Sequence, residues 1–361
     1  MTSSISGSDQ LAHPEDTTRP AWRRWLVVFF GVFFGVGTLL FTLLLLIDPY
    51  DTGRFPSFGI TGISDVSLRT ADASRGRDPR FNAAVIGNST GQRIDPYRLS
   101  AGSGLRFIQL AISKVGPREE LVLMRWVLSH HSSYGALVIV TDPVWCSSDP
   151  ERPLDSPFPF WLYGDDLDYL ANVLSSRALD RAGWRLLIAL GLRQPVDPVG
   201  FTDYLRPGER PVFVPPPPSP PGEMGELQSL PRFPWIERLH ALLTMVPQSV
   251  NVILVMPPEY YTVLPHPGSK QAAEIDACKA ALRQAVADRP LGAFLDFRVD
   301  SEWTRDTTDF VDPIHYREKL AGQMADRIIA QLRAGEPGAD QADHAAIVTS
   351  VEPRLSGRVP P

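Results

Sequence analysis

Two segments far apart in the sequence contain side chains whose types and spacing could carry out nucleophilic chemistry. Ser89 lies in the segment GNST at 87–90, and Asp312 and His315 lie in the segment DPIH at 312–315. A serine hydroxyl is almost un-ionised at neutral pH, so it needs a base before it can attack a substrate. His315 could remove that proton while Asp312 orients the imidazole ring, as in a Ser-His-Asp triad.

Each of these residues also suits an ordinary structural role. GNST is typical of a tight turn of small residues, Asp312 of a helix cap, and His315 of a surface position. The catalytic interpretation therefore depends on the three side chains meeting in the folded chain.

A buried strand and the helix that follows it must position Ser89. The apolar run AAVIG at 83–87 predicts a strand, and Asp95 with Pro96 predicts the N-cap and first residue of a helix. Ser89 would then lie in a strand-to-helix turn. In open α/β sheets ligands bind at the carboxyl ends of strands, where helix N-termini present unpaired N–H groups. This placement suits a nucleophile.

The start of the last helix must position His315. Pro313 disfavours helical geometry at Asp312 and suits the first turn of a helix, so DPIH predicts a helix start. Asp312 and His315 are three residues apart and would project to the same side of that helix.

Five short apolar runs alternate with amphipathic helical patterns along the chain. Runs of this kind are typical of strands covered on both faces. The predicted strands lie at 83–87, 106–112, 136–142, 251–257 and 292–297, and the clearest helices at 117–129, 270–287 and 316–332. This alternation predicts the α/β class, with a mostly parallel sheet and helices on both faces.

About 108 residues separate the third and fourth predicted strands, which is far more than an ordinary crossover needs. An insertion at about 146–245 must fill this gap, with a helical stretch at about 165–192. The gap also contains the run RPGERPVFVPPPPSPPGE, whose prolines favour an extended, semi-rigid surface loop. A ligand segment for an SH3-like partner is the alternative interpretation of these prolines.

Residues 25–47 form an uncharged stretch of 23 residues, WLVVFFGVFFGVGTLLFTLLLLI. A helix of this length covers the ~30 Å hydrocarbon core of a bilayer, which predicts an uncleaved transmembrane anchor. A cleaved signal peptide and a buried core helix are the alternatives. The length, the lack of an AxA-like site and the uniform apolarity disfavour them. Three arginines at 19–24 precede the stretch and only Arg54 closely follows it, so the positive-inside rule predicts a cytoplasmic N-terminus.

The bounds of the two tails and of the folded domain follow from composition. Residues 1–24 would form a disordered cytoplasmic tail, residues 55–334 a folded domain outside the cytoplasm, and residues 335–361 a disordered polar tail. In a bacterium, the domain would lie in the periplasm.

Composition argues against several classes of function. The 361-residue chain has 35 Lys+Arg against 41 Asp+Glu, so no basic surplus favours nucleic-acid binding. The cysteines and histidines form neither a CxxC pair nor an HExxH helix, so we expect no metal and no cofactor. No GxGxxG follows a predicted strand, which disfavours a dinucleotide-binding oxidoreductase.

Cys278 lies on the apolar face of its predicted helix, which favours a buried thiol over a disulfide with Cys146.

Together, the motifs resemble the SGNH (GDSL) hydrolase superfamily over about residues 80–332. Ser89 in GNS matches the nucleophile block after the first strand, and Asp312 and His315 in DPIH match the D-x-x-H block before the last helix. More narrowly, IDPY after the anchor, AVIGNSTGQRIDP, FIQLAIS and DPIHY look like membrane-anchored, SGNH-like proteins of bacterial polysaccharide acetylation. That group includes relatives of the periplasmic alginate O-acetyltransferases.

This resemblance implies a three-layer α/β/α sandwich that acts as a serine-dependent O-acyl (acetyl) esterase or acetyltransferase. The substrate would be a cell-envelope or exported polysaccharide, so a carbohydrate or acylated carbohydrate is the expected ligand. The membrane and an acyl-donor membrane protein are the other expected partners, at the bacterial inner membrane with the domain in the periplasm. A catalytically silent SGNH-like polysaccharide-binding or scaffolding protein is the alternative.

The resemblance also implies an oxyanion hole, whose donors are the serine N–H, a glycine N–H of a second block and an asparagine side chain of a third. Ser113 or Lys114 lies near the glycine position, and either can offer a backbone N–H. Asp142 lies near the asparagine position, and an ionised carboxylate accepts hydrogen bonds but cannot donate them. Asp142 could instead cap a loop or hold Arg93.

The residues expected to line the site are Asn88, Arg93, Asp142 and Trp145. Trp145, together with Trp161 and Tyr163, could form a platform on which a sugar ring stacks. Large aromatic side chains near strand ends are, however, more often part of the core.

Overall fold

Five short apolar strands form the centre of the folded domain. The computed structural model describes residues 19–55, 62–64, 67–149, 157–201 and 212–335. The strands are β1 (Ala83–Gly87), β2 (Phe107–Ala111), β3 (Ala136–Val140), β4 (Asn251–Met256) and β5 (Gly292–Asp296). All pair in parallel in the order β2-β1-β3-β4-β5. The predicted α/β class and parallel sheet are confirmed.

Helices make up most of the rest of the described chain. In chain order they are α1 (Arg19–Ile47), α2 (Leu68–Gly76), α3 (Pro96–Ser103), α4 (Pro117–His130), α5 (Phe160–Tyr163), α6 (Asp166–Asn172), α7 (Ser176–Ala189), α8 (Pro234–Leu243), α9 (Lys270–Ala287), α10 (Glu302–Arg305) and α11 (Glu318–Ala334). Short 3₁₀ turns follow several strands, including Gly91–Arg93 after β1 and Pro143–Cys146 after β3.

Side chains of the strands alternate between two buried clusters. Ala84 and Ile86 of β1 lie in a cluster that includes side chains from α4, α8 and α9. Ala83 and Val85 lie in a second cluster that includes side chains from α3 and α11. Because residues i and i+2 of a strand share a face, helices cover both faces of the sheet.

The bounds of the helices agree with the sequence patterns except at the start of the last helix. The patterns at 117–129 and 270–287 correspond to α4 and α9, whereas α11 begins at Glu318, two residues later than expected. The long gap between β3 and β4 contains α5 to α8. The predictions for residues 1–18 and 336–361 lie outside the described residues, as does part of the proline-rich run.

Helix α1 contains the stretch that was expected to cross a membrane. Its segment Trp22–Ile47, of 26 residues, is long and apolar enough to span a bilayer. The large apolar side chains in its first part are mostly exposed, whereas Leu44 and Ile47 are buried in the same cluster as α4 and α9. The C-terminal end of the candidate span therefore belongs to the core of the folded domain.

A disulfide joins Cys146 to Cys278, so the expectation of a free buried thiol is wrong. Cys278 does point into the core from α9, and its side chain is fully buried. Helix α9 packs against the 3₁₀ turn after β3, which brings the two Cα atoms to 5.5 Å, within disulfide range. Sequence periodicity identified the buried face of the helix but could not show which segment lies opposite.

We expect the double variant Cys146→Ala with Cys278→Ala to lower the free energy of unfolding by about 2–5 kcal/mol. The cross-link spans 132 residues, and its removal frees the unfolded chain between them. Urea unfolding of the full chain in detergent would measure the change, with the reduced wild type as control. An unchanged midpoint would contradict a stabilising role for this bond.

Candidate active site

Ser89, His315 and Asp312 form one chain of hydrogen bonds. The distance from His315 Nε2 to Ser89 Oγ is 2.9 Å, and that from His315 Nδ1 to Asp312 Oδ2 is 2.7 Å. If Nδ1–H donates to the carboxylate, the lone pair of Nε2 faces the serine hydroxyl, which is the tautomer that a general base needs. The structure therefore brings together three side chains that lie up to 226 residues apart in sequence.

A turn stabilised by Asn88 presents Ser89 at the end of β1. The side-chain oxygen of Asn88 accepts hydrogen bonds from the N–H and the hydroxyl of Thr90, at 3.0 and 2.9 Å. Gly87 allows β1 to approach β3 closely, because a Cβ at this position would lie 2.8 Å from the Cβ of Val140. Asp95 caps α3 through Tyr97 N–H, with Pro96 at the first turn, as the sequence predicts.

Ser89 lies where the chain reverses its direction across the sheet. From β1 the chain passes to β2 on one side, and it then returns to β3 on the other side of β1. Ligands of open α/β sheets bind at such switch points, outside the carboxyl ends of the strands. Ser89 directly follows β1 and Asp142 closely follows β3, so both lie at this position.

The segment that carries Asp312 and His315 is a turn, not the start of a helix as the sequence suggested. Asp312 Oδ1 accepts hydrogen bonds from the backbone N–H groups of Ile314 and His315, both at 2.9 Å. Aspartate side chains compete in this way with helical hydrogen bonds. The N–H of Val311 also donates to the carbonyl of His315, which closes the loop ahead of α11. The two catalytic candidates meet through this turn instead of along a helix face.

Tyr316 joins the two halves of the site, and sequence analysis missed it. Its buried hydroxyl donates to the carbonyl of Thr90 at 2.7 Å, and its own carbonyl accepts from Arg93 Nε at 3.1 Å. Burial raises the pKa of this phenol, so the hydroxyl stays protonated and keeps donating. The position next to His315 was the one sequence signal that could have identified this residue.

Ser113 and Lys114 lie in the segment after β2, beside the turn of Ser89. The hydroxyl of Ser113 donates to Gln92 Oε1 at 2.7 Å, and the N–H of Ile112 donates to the carbonyl of Gly87 at 2.9 Å. Lys114 has a φ of 59°, in the left-handed region that glycine adopts readily. Among the described residues, the N–H groups of Ser89, Ser113 and Lys114 form no intramolecular hydrogen bond.

Asp142 caps the 3₁₀ turn after β3, which is one of the two roles expected for it. Its Oδ1 accepts from Val144 N–H at 3.0 Å, and its Oδ2 accepts from the side-chain amide of Asn88. Asn88 in turn shapes the turn that holds Ser89. Asp142 therefore acts on the site through Asn88, as an acceptor.

Trp145 does not line the site, so this expectation is wrong. Its side chain is fully buried, and its indole N–H donates to Glu120 Oε2 at 3.1 Å. Tyr163 is also buried and Trp161 packs against the same core cluster, so the three do not form an exposed sugar-stacking platform. The 3₁₀ turn that Asp142 caps directs Trp145 inward.

The carboxyl groups around the site differ in their electrostatics. Burial raises the pKa of Glu120 well above its usual value, and the nearby charge of Asp142 raises it further, despite the hydrogen bond from Trp145. For Asp312, partial burial alone would raise the pKa. Hydrogen bonds from Ile314 and His315 outweigh that effect and hold the pKa below its usual value. Asp312 therefore releases its proton at a lower pH, and Glu120 at a higher pH, than an ordinary carboxyl group.

A scan of this chain against models of protein families finds no match, and a search of curated proteins finds none either. The resemblance to SGNH hydrolases therefore stays a prediction that rests on the motifs and on the geometry of the site. In the described ranges, no group of three or more His, Cys, Asp or Glu side chains is arranged to hold a metal ion.

We expect Glu120→Gln to flatten the pH dependence of stability between about pH 5 and 7. The unfolded carboxyl releases its proton above about pH 4.3, whereas burial raises the pKa of the native one, so unfolding becomes easier as the pH rises between these two pKa values. Glutamine still accepts from Trp145 and does not titrate. The stability of the variant relative to wild type should thus increase with pH, by at most about 1.4 kcal/mol per pH unit.

Urea unfolding at both pH values measures this difference. The matched control is Glu237→Gln, which changes an exposed carboxylate paired with Arg232 on the surface. If the wild type and Glu120→Gln differ by the same amount at both pH values, Glu120 does not hold a proton in the native state.

Proposed function

We propose that this protein is a membrane-anchored serine O-acyl esterase or acetyltransferase that acts on a cell-envelope or exported polysaccharide. The observation that carries the proposal is the chain of hydrogen bonds Ser89–His315–Asp312 at the carboxyl end of β1. An SGNH-like three-layer sandwich is part of the same proposal, and the parallel sheet with helices on both faces supports it.

In the proposed reaction, Ser89 Oγ attacks the ester carbonyl and His315 Nε2 takes the serine proton. The negatively charged oxygen of the tetrahedral intermediate is bound by backbone N–H groups of Ser89 and of Ser113 or Lys114. The alcohol leaves with the proton from His315, and the acyl group stays on Ser89. His315 then deprotonates water or a sugar hydroxyl, which attacks the acyl-serine. The bond to Ser89 Oγ breaks, His315 returns the proton to this oxygen, and free acid or acylated sugar is released.

One feature supports a location of the domain outside the cytoplasm, and another supports an uncleaved anchor. Disulfides such as Cys146–Cys278 persist in oxidising compartments, including the bacterial periplasm. Leu44 and Ile47 of α1 are buried in the domain core, so cleavage after α1 would remove part of that core. This packing favours an uncleaved anchor in the inner membrane over a signal peptide.

The nature of the substrate rests on the motif resemblance alone. An acylated carbohydrate, and an acyl-donor membrane protein if the reaction is a transfer, are the partners that the resemblance implies. A water molecule and a sugar hydroxyl would compete for the same acyl-serine, so access of water to the site decides between hydrolysis and transfer.

A catalytically silent, polysaccharide-binding protein is the second candidate. Asp142 favours it, because this residue accepts hydrogen bonds at a position where the family resemblance implies a donor. A site with one donor fewer would stabilise the oxyanion less, by about 3 kcal/mol.

We expect Ser89→Ala to abolish labelling of the full-length protein by a fluorophosphonate probe, since no hydroxyl remains to attack phosphorus. It should also lower kcat/KM for a simple acetyl ester by at least about a thousandfold. Labelling on a gel and ester hydrolysis measure the two effects.

Ser129→Ala is the matched control. Ser129 Oγ also lies near a histidine nitrogen, at 3.1 Å from His130 Nδ1, but this pair is on the exposed end of α4. The control should label like wild type. If wild-type protein is neither labelled nor active, yet binds polysaccharide, the second candidate is correct.

A further inference from the structure

Helices α6 and α7 and the turn after them leave many leucine side chains exposed. The leucine surface consists of Leu167, Leu174, Leu179, Leu186, Leu190 and Leu192. Leu190 and Leu192 are 70% and 73% exposed. Single apolar side chains are common on protein surfaces, but a group of this kind marks a contact with another apolar phase.

Three of these leucines form a stripe along α7. Leu179, Leu186 and Leu190 follow the spacing i, i+7 and i+11, which places them on one face of the helix. Ala178 and Ala182 lie on a different face, which is buried in the domain. The stripe is therefore not the face that α7 uses for packing within the chain.

The leucine surface is adjacent to the candidate membrane span. Leu174 lines an apolar groove whose other walls are side chains of α1 between Trp25 and Phe41, and α7 packs against α1. Phe41 precedes the end of α1 at Ile47 by six residues, or about 9 Å. The folded domain thus contacts α1 not only at its C-terminal end but also at least about 9 Å before that end.

The length of the span places the membrane surface near the C-terminal end of α1, close to Leu174. The uncharged stretch 25–47 has 23 residues and extends about 35 Å, about 5 Å more than the hydrocarbon core of a bilayer. Arg23 and Arg24 precede it, so the surplus lies in the last turn of α1, where Leu44 and Ile47 are buried in the domain. The membrane boundary then falls near Leu44, and Phe41, which lines the groove with Leu174, lies on the membrane side of it.

The side of α7 away from the leucine stripe is polar. Arg181 and Trp184 follow Leu179 by two and five residues, which turns them about 160° and 140° away from the stripe at 100° per residue. The guanidinium groups of Arg181 and Arg193 each lie 4.1 Å from the ring centroid of Trp184. A leucine stripe with a polar face behind it is the pattern of a helix that lies in the plane of the membrane.

Ion pairs hold the anchor in place against these helices. Asp51, just after α1, pairs with Arg185 of α7 at 2.9 Å and with Arg77. Arg54 pairs with Asp166 of α6 at 2.7 Å. Asp51 and Arg185 are buried, so salt screens their attraction only weakly. The position of α7 relative to the span is therefore fixed.

We propose that the leucine surface is embedded in the lipid interface of the bilayer that α1 spans, as a second membrane contact of the same chain. Lipid acyl chains cover the leucines, and the face of α7 that carries Arg181 and Trp184 points away from the bilayer. The inference rests on the membrane anchor of the proposed function, but not on the chemistry of Ser89. This second contact sets one fixed orientation of the domain, and thus one height of Ser89 above the membrane.

The test uses the full chain reconstituted in phosphatidylcholine nanodiscs, with a fluorophore on a single introduced cysteine. Leu190→Cys probes the leucine surface, and Phe34→Cys probes the exposed part of the span. Val214→Cys is the matched control, because it is 80% exposed and next to Phe213 in the cluster on the opposite face of the sheet from α1. Separate nanodiscs contain lipids with a nitroxide near the top of the acyl chain, which quenches fluorophores at the interface, or near its end, which quenches fluorophores at the bilayer centre.

We expect quenching at positions 190 and 34 to be several-fold stronger than at position 214. Quenching at 34 but not at 190 would overturn the proposal and leave the anchor intact. A blue-shifted but unquenched label at 190 would also overturn it, because a protein, such as a second copy of this chain, would then cover the leucines. Absence of quenching at 34 would refute the anchor itself, whatever the outcome of labelling at Ser89.

Discussion

The candidate active site depends on contact between the turn after β1 and the turn before α11. The hydroxyl of Tyr316 donates to the carbonyl of Thr90, and Arg93 donates to the carbonyl of Tyr316. The hydroxyl and its acceptor are buried, and an unpaired polar group there would cost about 1–3 kcal/mol. These bonds therefore hold the two turns in one arrangement. The spacing between Ser89 and His315 follows from them, and does not depend on the single hydrogen bond between the two side chains.

Three carboxyl groups, those of Asp312, Asp142 and Glu120, have different roles because their surroundings differ. Asp312 accepts two backbone N–H groups and the ring of His315, which keeps it ionised. Asp142 accepts from Asn88 and Val144 at the sheet end. Burial and the charge of Asp142 raise the pKa of Glu120, so this carboxyl is neutral over a wider range of pH than an exposed one. The negative charge beside Asp142 is therefore smaller than a count of acidic residues suggests.

The sequence was informative where a local pattern decides the outcome. Strands buried on both faces are almost continuously apolar, so β1 to β5 could be located, and with them the turn of Ser89. Three features were predicted wrongly, one because a local turn replaces a helix start and two because the partners are distant in sequence. Side-chain hydrogen bonds of Asp312 replace the helix start, the packing of α9 pairs Cys278 with Cys146, and Glu120 holds Trp145 in the core. No local periodicity encodes these partners.

The lysine at position 114 bears on the choice between an active and a silent site. Its left-handed backbone costs about 1–2 kcal/mol for a residue with a Cβ, so other contacts must maintain it. Arg69 donates to the carbonyl of Ser113 at 2.8 Å, and the Ser113 hydroxyl donates to Gln92. An oxyanion donor at this position is a backbone N–H, whose direction depends on conformation and not on the side chain. Lys114 therefore does not by itself argue for a silent site, and Asp142 is the departure that an active enzyme must accommodate.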